Sequence, residues 1–367
     1  MLATLATAYL AWFAPPLRTC TPLRGRRLRG APSVVACEAP PPPVDELRAL
    51  YEDRSVRSAP AEDSWATTAS RSILERSFSL GWQPRLQPHD IPVLELDGGE
   101  LTPEALEQLF SHEAAAVVVR GFVDAETCAL VKTTLCGEAD ADEWRNWRLN
   151  GDASSDVDKM GRVSSEALGD FDVFREYLHT RPGRGGLGAA LDARLRAVLG
   201  EGREHPFDRL HAALDAAHAH GCRRAKLGRF ELPAGAFRRM RHSTGLIHAD
   251  TSPRLSAAGG EYAANIYLST ARAQGSLHVY PALQYGAAGH AAVAPLEWKL
   301  RNVHEEASQA LLAGALPLRR TVELNDGDLV LLCTGRFHAV ERFEDGDRLS
   351  GQCWLSFQRG KALRMWV

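Results

Sequence analysis

The chain has 367 residues, 45% of them hydrophobic and 24% charged, with a formal net charge of −3. That is ordinary for a globular protein with one large core plus a smaller appendage, and it gives no global reason for a nucleic-acid or membrane-surface partner. The seven Cys are scattered and odd in number, and none stands in a C-x-x-C pair, which speaks against a zinc knuckle or a disulfide framework and for reduced intracellular thiols.

The amino end differs in kind from the rest. Residues 1–37 carry Arg18, Arg24, Arg26, Arg27 and Arg29 and no acidic residue; the first acid is Glu38. Such a composition reads as an organelle leader, to be kept out of fold reasoning. The apolar run Met1 to Phe13 is too short to span a bilayer. Ala11-Trp12-Phe13-Ala14-Pro15 resembles the Phe-centred junction of two-part plastid leaders in algae, and Val34-Val35-Ala36-Cys37 offers a second processing site. Plastid import is the expectation. Pro40 to Pro43 then form an extended stretch, and residues 38–90 read as a Pro-rich linker and a loosely ordered segment, with helical patches at Val44–Tyr51 and Ser64–Arg76.

The folded body is expected from Ile91, where Ile91 to Leu96 form a short strand. Thr102-Pro103-Glu104 supplies an N-cap, a proline at the first helical position and a first-turn acid, predicting a helix to about His112. Ala115 to Arg120 is a β-branched run and a buried strand, ended by Gly121; Asp124 caps a further helix to about Leu135. Trp144 to Arg162 shows no period and reads as a long irregular stretch, either over the active-site mouth or a plain surface loop. Two helices follow, at about Gly186–Leu199 and Pro206–His220. Residues 91–225 thus form a helical N-terminal part of the catalytic domain.

From Lys226 the texture becomes β. Short runs at 226–232, 236–242, 262–268, 276–280, 320–324, 328–333, 337–343 and 348–357 are separated by turn residues, with one helical insert at about Glu297–Ala313. This predicts an α+β chain with a mainly β core, a sandwich or jelly roll at 226–367 rather than a parallel α/β sheet.

Within that core lies a set of residues suited to metal chemistry. His248 and Asp250 share one strand face, since i and i+2 point the same way, and His338 is brought to them by folding. Two imidazoles and one carboxylate are the set that holds Fe(II) on one face and leaves positions open for oxygen chemistry. His-x-Asp alone is a weak signal, but its surroundings strengthen it. Asn325-Asp326-Gly327-Asp328 is a tight turn, Leu329 to Leu332 a buried strand running towards His338, and Asp345-Gly346-Asp347 a second turn delivering Arg348. From there Arg348, Ser350, Gln352 and Trp354 alternate onto one face, with Leu349, Gly351, Cys353 and Leu355 on the other. Arg348 and Ser350 supply a fork of donors for a carboxylate-bearing co-substrate.

These residues resemble the Fe(II)/2-oxoglutarate-dependent dioxygenases, a family with a double-stranded β-helix core. Asp326 to Ser350 resembles that family's carboxy-terminal signature, while Ala263 to Ser269 and Gly275 to Pro281 are most similar to its prolyl-4-hydroxylase-like branch. The resemblance implies that His248, Asp250 and His338 bind Fe(II), with 2-oxoglutarate and O2 as co-substrates and ascorbate as an accessory reductant. It further implies that Arg348 and Ser350 take the far carboxylate of 2-oxoglutarate, that Tyr267 helps hold it and that Leu277 lines its pocket. Asp250 argues against the halogenating relatives, which carry a small residue there. Two departures, Gln274-Gly275-Ser276-Leu277 in place of a Gly-Gly pair and no matching Tyr among Phe230, Phe237 and His242, keep the prolyl substrate from being carried over.

The expected function is therefore oxidation, by default hydroxylation, of an unactivated C–H of a small metabolite. A prolyl-type protein hydroxylase and a non-catalytic jelly-roll binding protein are the alternatives. A cupin-like enzyme without 2-oxoglutarate conflicts with Arg348 and Ser350, and a zinc hydrolase lacks a His-Glu-x-x-His helix. Arg239, Arg241, His242 and His278 lie on or near roll strands and either face the substrate or point outward; a small anionic metabolite is the first choice of substrate and a protein side chain the second.

Overall fold

The computed structural model describes residues 44–58, 90–137, 144–149, 152–161, 163–164, 171–179, 189–250, 258–271, 275–281, 306–316 and 318–367. The basic leader, both processing junctions and the 64–76 helical patch lie outside the described residues. The chain divides at residue 61. In the first part the described element is helix α1 (Val44–Ser58), longer than the patch expected there. Among the described residues no helix is long and apolar enough to cross a membrane.

In the second part, strand β1 (Val93–Leu96) leads into helix α2 (Pro103–Phe110), strand β2 (Ala116–Val119) and helix α3 (Ala125–Leu135). The caps act as expected. Thr102 Oγ1 accepts from Ala105 N, and the Asp124 carboxylate accepts from Thr127 N and Oγ1; each cap stabilises its helix by about 1 kcal/mol. Strands β3 (Arg145–Leu149) and β4 (Asp152–Met160) form an antiparallel hairpin. This corrects the expectation of an irregular loop: β4 pairs with β8 (Ala236–Met240), so the hairpin extends the main sheet instead of lying free over the site. Helices α4 (Phe171–His179), α5 (Ala189–Leu199) and α6 (Pro206–Ala217) follow, then short strands β5 (Cys222–Arg224), β6 (Lys226–Leu227) and β7 (Phe230–Glu231).

The remaining elements are β9 (Gly259–Ser269), β10 (Leu277–Val279), α7 (Glu306–Ala315), β11 (Arg320–Val322), β12 (Leu329–Cys333), β13 (His338–Val340), β14 (Arg348–Gln358) and β15 (Leu363–Trp366). The large sheet runs β1-β2-β12-β9-β14-β8-β4-β3, with β15 beside the second half of β14 and β5 beyond it. The small sheet runs β11-β10-β13 and is continued by residues 243–248, which meet 338–343 at two bridges, Ser243 with Phe343 and His248 with His338. The chain therefore alternates between the sheets: β8 in the large one, 243–250 in the small, β9 large, β10 and β11 small, β12 large, β13 small, β14 large. Antiparallel strands exchanged between two facing sheets in this order make a jelly roll.

Both faces of the large sheet are buried. On the outer face, Leu106, Leu109 and Phe110 of α2, Val131 and Leu135 of α3, and Phe207, Leu210 and Leu214 of α6 pack on Ile266, Leu331, Leu349, Cys353 and Leu355. Phe207 sits in a notch cut by two glycines: a Cβ at Gly235 would lie 2.3 Å from its ring, and one at Gly351 3.0 Å away. The inner face contributes Ala263, Tyr267, Val330 and Leu332, which meet Leu277, Val279 and Val322 of the small sheet. Helix α7 covers the far side of the small sheet through Leu311, Leu312 and Ala315 against Phe337 and Ala339.

The turn before β12 is built as the sequence indicates. Asp328 N donates to Asn325 O, Gly327 takes φ +92°, and a Cβ there would strike the Val123 carbonyl oxygen at 2.1 Å. Gly327 N in turn donates to Tyr267 O and Tyr267 N to Asp328 O, which fixes the backbone under a candidate site residue.

Candidate functional site

The three expected metal ligands come together. One ligand atom from each of His248, Asp250 and His338 lies within 4.8 Å of the others. His248 and His338 face each other across an antiparallel bridge whose two backbone hydrogen bonds measure 3.0 and 2.8 Å, and their rings stand 4.4 Å apart. Asp250 N donates to Thr334 O at 2.9 Å, bringing its carboxylate alongside. The segment that carries His248 differs from the continuous strand expected: it joins the sheet at isolated bridges only. Gln309 of α7 supplies part of the missing ladder. Its side-chain oxygen accepts from Ile247 N at 2.8 Å and its amide nitrogen donates to Ile247 O at 3.0 Å.

The hydrogen bonds around the rings decide what the three groups can hold. His248 Nδ1 lies 3.0 Å from Leu246 O, and His338 Nδ1 lies 2.9 Å from Arg336 O. A carbonyl can only accept, so each Nδ1 carries a proton and each Nε2 is turned towards the Asp250 carboxylate. Burial first, then the neighbouring His248, holds the His338 imidazole down at about 4, so it is neutral at pH 7. Both Nε2 atoms stand 3.5 Å from the Asp250 carboxylate oxygens. Two ring nitrogens and one carboxylate thus converge on a single point. Ligands about 2.1 Å from one ion and at right angles to each other lie roughly 3 Å apart, so small adjustments would seat a divalent ion. The backbone carbonyls behind the rings are the outer partners that orient metal-binding imidazoles.

A second group of residues lies on the same inner face. Arg348 is 4% exposed, and its guanidinium stacks over the Tyr267 ring at 4.9 Å. Its Nη2 donates to Tyr267 Oη at 3.2 Å and its Nη1 approaches Met240 Sδ at 3.6 Å. Its Nε has no hydrogen-bond partner, and among the described residues no carboxylate pairs with it. A buried guanidinium without a counter-charge is costly, so this position is suited to an anion from solution. Ser350 is opposite Tyr267 on one side and Arg238 on the other. The β9–β14 register shifts between Leu349 and Ser350, next to the Ser350–Tyr267 pair. Leu277, 3% exposed, packs in the inner-face cluster beside Tyr267.

Of the two readings open for Arg239, Arg241, His242 and His278, the outward one holds. Arg239 lies on the outer face of β8, where its Nε donates to Asp347 Oδ1 at 2.7 Å. Arg241 and His242 are exposed. His278 pairs in register with Ala339 and Thr321 on the outer face of the small sheet, with Nδ1 3.2 Å from Thr321 Oγ1. Two residues not anticipated do face inward. Arg238 is directly opposite Ser350 and donates to Gln352 Oε1 at 2.9 Å. Glu261 sits on β9, where burial, then the Asp250 charge, pushes its carboxyl up to about 7. The alternation of Ala236, Arg238 and Met240 was the available signal for Arg238; the pairing partner that decides which alternation points inward lies more than a hundred residues away.

No family model matches the chain, and no curated protein matches it. Among solved structures it is similar to an N-substituted L-amino acid dioxygenase from Burkholderia ambifaria in complex with alpha-KG, at 16% identity, covering 72% of this chain and 91% of that one, with a TM-score of 0.42. It is also similar to HygX from Streptomyces hygroscopicus with nickel and 2-oxoglutarate bound, at 15% identity, covering 71% and 89%, with a TM-score of 0.40. A third is an oxidoreductase of the 2OG-Fe(II) oxygenase family from Burkholderia pseudomallei, at 13% identity, covering 75% and 99%, with a TM-score of 0.38.

Proposed function

We propose that the protein is an Fe(II)- and 2-oxoglutarate-dependent oxygenase acting on a small molecule. The observation that carries this reading is the convergence of two imidazoles, each held through Nδ1 by a backbone carbonyl, and a carboxylate, beside a buried guanidinium with no counter-charge among the described residues. His248, Asp250 and His338 hold the metal and leave its other positions open. When bound, Fe(II) and 2-oxoglutarate supply the oxygen chemistry that couples decarboxylation of the co-substrate, to succinate and CO2, to oxidation of a substrate C–H.

The chain's own residues position and protect that chemistry. Arg348 neutralises the far carboxylate of 2-oxoglutarate. Tyr267 Oη already accepts from Arg348 Nη2, so its own proton is free to donate to the same carboxylate, and Ser350 Oγ adds a further donor. Leu277, Val279, Val322 and Val330 form an apolar wall that excludes water around the polar pair and strengthens it. Hydroxylation is the default outcome for such a site.

The test is anaerobic titration of the full chain with Fe(II), followed by equilibrium dialysis. One ion per chain, lost in Asp250→Ala and His248→Ala, is expected. Equal iron retention by wild type and both variants would refute the metal assignment.

A further inference from the structure

The inner face carries a second guanidinium that the proposed reaction does not use. Arg238 forms a row across the large sheet with Ser350 and Tyr267, level with the pocket assigned to the co-substrate. Its side chain leans towards the metal ligands, since Nη1 donates to Gln352 Oε1 at 2.9 Å, one pleat further along β14. Burial lowers its pKa most, and after burial the charges of Asp250 and Arg348 act on it with opposite sign. Trp147 of β3 backs it, with Arg238 Cζ 5.0 Å from the ring centre.

What Arg238 lacks is a counter-ion. Among the described residues no carboxylate lies within ion-pair distance of it, whereas Arg239 next door is paired with Asp347 and Lys159 opposite it on β4 donates to Gly161 O at 3.1 Å. Its Nε is buried without a hydrogen-bond partner. Nη1 is occupied by Gln352, so the open donors are Nε and Nη2, the side-on edge of the guanidinium. That edge is the fork that receives a carboxylate through two parallel hydrogen bonds. Two like charges in one interior also repel, and among the described residues no carboxylate lies within ion-pair distance to relieve them.

We propose that Arg238 is a specificity residue for the primary substrate, which it recognises through a carboxylate. This rests on the oxygenase reading above, in which Arg348 takes the far carboxylate of 2-oxoglutarate and the metal neutralises its other end. The Arg238 edge is then left for a third anionic group. Its accessibility fits that role. Arg348 is almost fully enclosed, as suits a co-substrate pocket, whereas Arg238 keeps some contact with solvent although its Nε is buried. The substrate class is a small organic acid whose oxidised carbon lies within reach of the triad while its carboxylate rests on Arg238.

The probes are matched pairs of acids and carboxamides: benzoate and benzamide, hexanoate and hexanamide, N-acetyl-L-alanine and its amide. The full chain, loaded with Zn(II) as a redox-silent ion and saturated with 2-oxoglutarate, is titrated with each while Tm is read. For the wild type, an acid of at least one pair should raise Tm more than its amide. Arg238→Met should bind that acid about ten- to a hundredfold more weakly and lose the preference, and Arg238→Lys should keep a reduced one. 2-Oxoglutarate alone should shift Tm equally in all three. No acid preference in the wild type, or its survival in Arg238→Met, overturns the proposal. So does loss of the 2-oxoglutarate shift in Arg238→Met with Arg348 intact, which would move Arg238 to the co-substrate. Should Arg238→Met fail to fold, a Lys variant matching the wild type for both acid and amide overturns it equally. Absence of any 2-oxoglutarate shift in the wild type refutes instead the oxygenase reading on which the proposal rests.

Discussion

Replacing Arg348 by Met should separate stability from binding, with opposite signs. In the ligand-free protein the guanidinium is 4% exposed, makes one hydrogen bond to Tyr267 Oη, and leaves Nε unpartnered. Methionine is of similar length, neutral, and sits readily beside Met240 and the Tyr267 ring. Losing one hydrogen bond costs about 1 kcal/mol, while removing an unsatisfied buried donor on a charged group returns about 1–3 kcal/mol. The ligand-free variant should therefore hold or gain stability. Binding moves the other way: a buried carboxylate deprived of its cation loses about 2–5 kcal/mol. 2-Oxoglutarate should then bind about 30- to several thousandfold more weakly. Calorimetric titration of the Zn(II)-loaded protein gives the affinity, and thermal melting without ligand gives the stability. Unchanged 2-oxoglutarate affinity would remove Arg348 from the pocket, and a strongly destabilised ligand-free variant would show that its charge is compensated after all.

Two further perturbations probe the supports of the site. Gln309→Leu strips both hydrogen bonds from the Ile247 backbone; it should destabilise the chain by about 2–4 kcal/mol and weaken metal binding tenfold or more, and unchanged melting and metal affinity would refute the clamp. Glu261→Gln should change stability in a pH-dependent way. The Glu261 carboxyl is raised from 4.5 to about 7, mainly by burial, so between those values the folded chain keeps a proton that the unfolded chain has lost, and wild-type stability falls as pH rises. In metal-free protein the variant should match wild type near pH 4.5 and exceed it by about 2–3 kcal/mol at pH 8. A stability difference independent of pH in denaturant titrations would contradict that assignment.

What was legible in the sequence was local chemistry. Thr102 and Asp124 announced their helices through capping, Asn325 to Asp328 announced a turn that forms as read, and period-two alternation from Arg348 to Trp354 placed Arg348 and Ser350 on the inner face. His248 and Asp250 were readable because i and i+2 share a side. The misses arise where a distant partner decides. Arg238 and Arg239 are chemically identical neighbours, and only pairing with β14 turns the first inward and the second towards Asp347. The hairpin β3–β4 is polar, with Asp152, Ser154, Ser155 and Asp156 in its second strand, and takes its strand character from the edge of β8 rather than from propensity. Gln309, on a helix far along the chain from Ile247, gave no signal that it would complete a broken strand.

The central claim, that this triad and Arg348 serve an oxygenase, is tested most directly by 2-oxoglutarate consumption in air. With Fe(II) and a small-acid substrate, wild-type protein should release succinate and CO2 in equal amounts, and the same incubation with His338→Ala should release neither. Succinate formation that persists in His338→Ala, or its absence from the iron-loaded wild type across the acid panel, would contradict the account.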